Sequence, residues 1–254
     1  MNKHLYLILA VLVTFSACKK SPIYIAHAGG EIDGHKYTNC MEAVQLSISK
    51  GITHIELDLA LTSDNQLVAL HDWEFFHAIT NHGNDYAEIS LDEFMTRKIH
   101  GRYTPITWQD IDTLMTNHPN LHLVTDKISS PEIIKQYFSA YRDRVLVECF
   151  TYDDYLALEK DGYYCMYSRY PLPKEQATMT PIMKLKKFLG LYTPPFASKY
   201  AFWYLSAFPN ERISTYDEGY GDMFAVFTMS NRTKADSLAR LDSRIKYVYI
   251  DNVE

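Results

Sequence analysis

The sequence predicts an α/β fold: a (β/α)8 barrel with one β-hairpin excursion after its second strand. Three observations predict it. Short runs rich in Ile, Val, Tyr and Phe alternate with segments of helical spacing, the pattern of βα units around a parallel sheet. The 254 residues suit one barrel of about 250 residues. The composition is ordinary globular usage, 47% apolar and 22% charged with ten Gly and ten Pro, which excludes a disordered, collagenous or disulfide-scaffold chain. A net charge of −6 argues against nucleic acid as a partner, since such footprints are basic.

In chain order, the first segment stands apart from the barrel. Lys3 precedes an apolar run from Leu5 to Val13, the n-region and h-region of a secretory signal, too short to span a bilayer. Phe15-Ser16-Ala17-Cys18 then resembles the lipobox of bacterial lipoproteins, with Phe15 in place of the usual Leu. The expected organisation is a signal peptide over 1–17, a lipidated Cys18 and linker over 18–22, and the barrel domain over 23–254. Acyl chains on Cys18 would tether the protein to a membrane in the bacterial envelope, periplasmic or at the cell surface, without threading it through. The alternatives are a plain signal peptide cut near Ala17 or a short membrane anchor. Cys40, Cys149 and Cys165 then remain, an odd number at no metal-ligand spacing. Cys149 and Cys165 lie in apolar runs and read as buried thiols.

Strand-like runs follow at Ile23 to Ala26, His54 to Leu61, Gln66 to His71, Leu121 to Thr125 and Val145 to Cys149. Others are Tyr163 to Tyr167, Phe202 to Ser206, Phe224 to Thr228 and Tyr247 to Asp251. Helical spacing marks Met41 to Lys50, Ser90 to Lys98, Pro131 to Tyr141 and Lys234 to Leu241. Thr38 or Asn39 with Glu42 beyond it reads as a helix start, and Pro131 sits at a first-turn position. This gives one strand more than a closed barrel needs. Thr62-Ser63-Asp64-Asn65 is too short for a crossover, so its flanking strands form an antiparallel hairpin. A turn centred on Ser63-Asp64 sets His71 opposite Glu56 and near Asp58.

Glu56 and Asp58 are two residues apart, so both leave one face of a strand while Ile55, Leu57 and Leu59 leave the other. Two like charges there repel and are costly to desolvate, unless a cation lies between them or one is protonated. A hard divalent ion with oxygen ligands, Mg²⁺ or Ca²⁺, is the simplest remedy. Asp126, ending the next barrel strand, is placed as a third metal ligand on the same rim.

His27-Ala28-Gly29-Gly30, Tyr37-Thr38-Asn39, Glu56-x-Asp58, Thr62-Ser63-Asp64 and His71-Asp72 together resemble the glycerophosphodiester phosphodiesterases. These are TIM-barrel enzymes of the superfamily that includes phosphatidylinositol-specific phospholipase C. The likeness is strongest from Ile23 to Trp73 and extends to Tyr247-Val248-Tyr249-Ile250-Asp251 as a closing strand. It implies His27 and His71 as catalytic acid and base, and Glu56, Asp58 and Asp126 as ligands of a divalent metal that binds the phosphodiester. The chemistry agrees: cleavage needs charge neutralisation on phosphate, an activated nucleophile and a proton for the leaving alkoxide, and imidazoles titrate near neutrality. Of the other histidines, His35 and His77 are second candidates by their nearness in sequence.

The sequence departs from the family's common pattern at three places, one of them Thr38-Asn39-Cys40 where that pattern has Glu-Asn-Thr. Ala28 stands where His-Arg-Gly has its phosphate-binding arginine, a trait shared with a less common His-Ala-Gly and Tyr-Thr-Asn branch. After Asp126, Ile128 takes the slot of a same-face lysine, so Lys127 serves only through a local bulge, or the cation comes from elsewhere. Asn39, Lys127, Glu148 and Arg169 are the candidate substrate-binding residues, with Glu148 also placed to add a metal ligand. Thr180 to Phe208, with Lys184, Lys186, Lys187 and Lys199 among aromatics, reads as a long barrel loop, or else as a lid or lipid contact.

The favoured activity is a metal-dependent phosphodiester hydrolase acting on a small-molecule or polymeric glycerophosphodiester or phosphoglycerol linkage. The alternatives are a non-catalytic barrel binding a phosphorylated or glycan ligand, and a glycoside hydrolase. The last is weakened by two carboxylates so close on one strand.

Overall fold

The computed structural model describes residues 21–83, 85–167, 189, 196–201, 224–241 and 245–254. Its strands are β1 (Ile23–Ala26), β2 (His54–Leu61), β3 (Leu67–Ala69), β4 (Ile106–Thr107) and β5 (His122–Asp126), then β6 (Val145–Cys149), β7 (Tyr164–Tyr167), β8 (Phe196–Ala201), β9 (Phe224–Met229) and β10 (Ile245–Ile250). The helices are α1 (Met41–Ser49), α2 (Trp73–Ile79), α3 (Leu91–Thr96), α4 (Trp108–Asn117), α5 (Pro131–Phe138), α6 (Tyr152–Lys160) and α7 (Arg232–Leu241). The expected strand at Phe202 to Ser206 lies outside the described residues, as do the signal segment, Cys18, Arg169 and most of Thr180 to Phe208. Among the described residues no helix is long and apolar enough to cross a membrane.

Eight parallel strands run in the order β1-β10-β9-β8-β7-β6-β5-β2, and β1 pairs again with β2 through Ile25↔His54 and Ala26↔Ile55, which closes the ring. Alternation along the strands divides their residues between two cores. Ile25, Val124, Leu146, Met166, Ala225 and Tyr249 fill the barrel interior in one buried cluster. Ile55, Leu57, Leu59, Leu123, Val147 and Val248 face outward and meet Val44, Ile111, Ile134 and Phe138 of the helices. Ile134 and Phe138 are fully buried; truncating such a phenylalanine to alanine costs about 3–5 kcal/mol.

The hairpin excursion is present, with a register one residue from the expected one. Leu59 opposes Ala69 and Leu61 opposes Leu67, which puts His71 level with Leu57 instead of Glu56. The loop holds three residues, Ser63, Asp64 and Asn65, because Asn65 adopts a left-handed φ of 59° and Thr62 pairs with Gln66. The ladder ends where the Leu70 N–H donates to the Asp58 carbonyl, and a bend after it returns His71 to the mouth. β4 pairs with β3, and Phe76 stacks on Phe94 at 4.7 Å to give this module its own small core.

Helix starts follow local chemistry. Asp72, Ser90, Thr107 and Thr151 accept from backbone N–H groups of α2, α3, α4 and α6, and Pro131 opens α5 as expected. The start of α1 differs from expectation. Its N-cap is Cys40, with no side-chain cap, because Asn39 is committed to Asp58 and the Glu42 carboxylate accepts from Thr104. Cys40, Cys149 and Cys165 are buried free thiols.

Candidate active site

Of the residues named from sequence, His27, Asn39, Glu56, Asp58, His71, Asp126 and Lys127 gather at the C-terminal mouth of the barrel, the end at which barrel enzymes carry their chemistry. Glu56, Asp58 and Asp126 each offer an oxygen, and the three oxygens lie within 4.8 Å of one another. The register explains this: Asp58 is directly opposite Asp126 on the paired strands β2 and β5, and Glu56 is two residues back on the same face. Glu56 and Asp58 are almost wholly buried. Three hard carboxylate oxygens at this spacing, two of them from buried residues and one from the half-buried Asp126, fit a divalent ion of the Mg²⁺ or Ca²⁺ type.

Backbone and amide donors hold the carboxylates in place. The Ala28 N–H donates to Glu56 Oε2 at 2.6 Å. Asn39 grips Asp58 at both ends, its Nδ2 donating to Oδ2 at 2.9 Å and its Oδ1 accepting from the Asp58 N–H at 3.0 Å. Asn39 therefore braces Asp58 from two sides. Burial pushes the Asp58 carboxyl above its usual range, against the Asn39 hydrogen bond and with the repulsion of Asp126 added.

His27 enters from a tight turn that follows β1. Gly30 is needed there: its φ is 102°, its N–H donates to the His27 carbonyl, and a Cβ would lie 2.5 Å from Ser47 Oγ. His27 Nδ1 lies 2.9 Å from Asp251 Oδ1 and 3.4 Å from Thr228 Oγ1, and Asp251 Oδ2 accepts from Lys36 Nζ at 2.8 Å. Burial opposes ionisation of Asp251, but His27 and Lys36 together hold its carboxyl below the usual range. His71 has the same device, its Nδ1 2.6 Å from Asp72 Oδ2. A carboxylate on Nδ1 fixes the tautomer and leaves Nε2 for proton transfer in each ring.

Lys127 meets the mouth through a local turn, while Arg169, the other candidate cation, lies outside the described residues. Lys127 takes a left-handed φ of 69°, and the Ile128 N–H donates to the Asp126 carbonyl two residues back, forming a γ-turn. That turn brings Lys127 Nζ to 3.9 Å from Asp58 Oδ1. Ala28, at the position that carries arginine in the common motif, is fully buried. Glu148 is buried on the inward face of β6, where its charge, after burial itself, raises the Tyr249 phenol well above the usual range. His77 and His35 lie outside the site. His77 is buried between Arg97 and the Ala87 carbonyl, and His35 stacks on His100 at 3.8 Å.

Sequence reasoning gave no role to four residues of the mouth: Asp251, Asp72, Lys36 and Tyr37. Asp72 adjoins a named histidine and Asp251 follows the closing strand directly, so position alone could have flagged both. Lys36 and Tyr37 come from a small arm in which Ile32 pairs with His35 across Asp33 and Gly34, both at positive φ.

The closed parallel barrel thus carries a carboxylate triad and two carboxylate-backed histidines at its mouth. Residues 29–136 match the model of the Glycerophosphoryl diester phosphodiesterase family. That stretch holds Glu56, Asp58, His71 and Asp126 and starts two residues after His27. Over that stretch, 108 of the 254 residues, the chain is similar to that family. No curated protein matches the sequence significantly. Among solved structures the chain is similar to a phosphodiesterase from Oleispira antarctica in complex with the product sn-glycerol-3-phosphate, at 18% identity and a TM-score of 0.62, covering 91% of this chain and 93% of that one. It is also similar to glycerophosphodiester phosphodiesterases from Parabacteroides distasonis (16%, 0.61, 91% and 94%) and Agrobacterium tumefaciens (13%, 0.62, 91% and 97%). At these identities the likeness establishes the barrel.

Proposed function

We propose that this enzyme hydrolyses a glycerophosphodiester or a related phosphoglycerol linkage, with His27 and His71 as the acid–base pair. The observation that carries the reading is the placement of two imidazoles, each with Nδ1 on a carboxylate, beside three convergent acidic oxygens. Glu56, Asp58 and Asp126 would hold a divalent ion, Mg²⁺ or Ca²⁺. When bound, that ion supplies charge neutralisation at the phosphoryl oxygens. The chain's residues divide the remaining work. Lys127 adds a cation on the same side of the mouth, supplying part of what the absent arginine gives in the common motif. One imidazole takes the proton of the attacking group at Nε2 and the other gives a proton to the leaving alkoxide, each worth about 10²–10⁴-fold. Asp251 and Asp72 stabilise the imidazolium as it forms.

The glycerol-3-phosphate product bound by the Oleispira antarctica enzyme supports a phosphoglycerol substrate. The apolar run from Leu5 to Val13 and the Phe15-to-Cys18 motif support export and lipidation at Cys18, which would set the barrel beside a membrane in the bacterial envelope. The test is hydrolysis by residues 23–254 of glycerophosphodiesters, phosphoinositides and phosphoglycerol polymers, with and without chelator. Chelator-sensitive release of glycerol phosphate supports the reading; tight binding of glycerol phosphate without turnover under any metal contradicts it.

A further inference from the structure

Tyr37 combines three features. It is a bulky residue held at a left-handed φ of 58°, a conformation that disfavours any side chain with a Cβ. It is 37% exposed, so burial does not explain why that conformation is kept. Its ring meets both histidines edge-on, with centroids 4.9 Å from His27 at 85° and 5.5 Å from His71 at 70°. On their far sides His27 meets Tyr249 at 6.0 Å and His71 meets Phe75 at 5.8 Å. Tyr249, His27, Tyr37, His71 and Phe75 thus form a chain of five rings across the mouth, and Tyr37 is its middle link.

The link joins parts of the molecule that are otherwise positioned separately. His27 is set by β1 and by Asp251 after β10, in the barrel wall. His71 is set by the hairpin excursion and by Asp72, the cap of α2. Neither carboxylate spans the two modules. The arm that carries Tyr37 is itself fastened to the excursion, since Asp33 accepts from Arg102 and Tyr103 and His35 stacks on His100. It is fastened to the barrel through Lys36 on Asp251.

We propose that Tyr37 is a positioning residue: its ring is the wedge that sets the separation and tilt of His27 and His71. Backbone strain kept at a functional site in this way is consistent with selection for placement over stability. The inference rests on the acid–base roles proposed above. The ring, not the hydroxyl, carries the function, and the position is one where glycine or asparagine suits the backbone better.

The test compares wild type with Tyr37→Gly, Tyr37→Asn, Tyr37→Phe and His71→Ala, reading kcat, KM and melting temperature with bis(p-nitrophenyl) phosphate and a divalent ion. For the glycine and asparagine variants kcat should fall about 10- to 100-fold with KM little changed, as for a misplacement of about 1 Å. Their melting temperatures should stay within about 2 °C of wild type, because relief of strain offsets lost packing. Tyr37→Phe should keep kcat within about threefold, the ring contacts being retained. An unchanged kcat in Tyr37→Gly alongside an inactive His71→Ala overturns the wedge and leaves the acid–base reading standing. So does a rise in KM with kcat intact, a phenylalanine variant as damaged as the glycine one, or unfolding of both backbone-compatible variants. Full activity in His71→Ala, or no turnover by wild type, removes the acid–base reading and the wedge with it.

Discussion

His27 Nδ1 lies 2.9 Å from Asp251 Oδ1, joining the first residue after β1 to the first residue after β10 across 224 positions of sequence. The two strands are neighbours in the barrel, with Ala26 level with Ile250, so the closing of the ring makes this pair. Asp251 also accepts from Lys36, which leaves it ionised and pointed at the imidazole.

Replacing Asp251 with asparagine should therefore lower kcat by about 10²- to 10⁴-fold with a small change in KM, as expected when a histidine loses the carboxylate that orients it. Steady-state kinetics checks this. The same variant tests a stability effect. Because the carboxyl is held below its usual range in the folded state, its contribution is present above the unfolded carboxylate range and lost as pH falls through the folded value. Asp251→Asn should flatten the acid side of the stability curve, measured by urea unfolding at a series of pH values.

Asn39 has both ends of its amide on Asp58, at 2.9 and 3.0 Å. Asn39→Ala leaves a buried carboxylate oxygen and a backbone N–H without those partners, at a cost of about 1–3 kcal/mol in stability. Titration calorimetry should also show divalent-ion affinity falling about 10- to 100-fold, the usual result of removing a support behind a ligand.

Lys127 sits at a φ of 69° with its ammonium 3.9 Å from Asp58. Lys127→Asn keeps a residue that tolerates this backbone and removes the charge. Stability should stay within about 0.5 kcal/mol, as for a surface change away from packing, while KM for a phosphodiester rises. A kinetic and thermal comparison with wild type separates the two effects.

At the opposite end of the barrel, His54 stacks on His122 with centroids 4.5 Å apart and planes at 3°. Burial first, and then the neighbouring imidazole, lowers the His54 pKa to about 4. The unfolded chain then binds a proton that the folded one does not as pH falls from the ordinary histidine value toward 4, so stability is full above that window and lost through it. The loss is on the order of 3 kcal/mol. His54→Phe should remove most of that slope without affecting turnover, which the same pH series of urea melts tests.

The barrel was legible because its signal is local. Strand runs such as His54 to Leu61 alternate inward acids with outward leucines, and a four-residue link after Leu61 allows only a hairpin. Glu56, Asp58 and Asp126 were legible for the same reason, since period-two geometry fixes their face and strand ends fix their rim. The hairpin register was not, because it turns on Asn65 adopting a left-handed φ, which lengthens the loop by one residue. The placing of Lys127 is a similar case. Its side of the strand is set by a γ-turn that inverts one residue, and strand alternation alone would have sent it away from the site. Asp251 and Tyr37 were given no role because their partners are brought close only by ring closure and by the folded arm. The start of α1 shows a competition that sequence cannot weigh, with Asn39 drawn from capping to Asp58.

The most direct test of the account is hydrolysis of a glycerophosphodiester by wild type, His27→Ala and His71→Ala, measured with divalent ion present and again after chelation, with folding and ion binding followed in parallel. The account predicts chelator-sensitive turnover by wild type, and loss of turnover in both variants with fold and ion affinity retained. Turnover that survives in either histidine variant would contradict it.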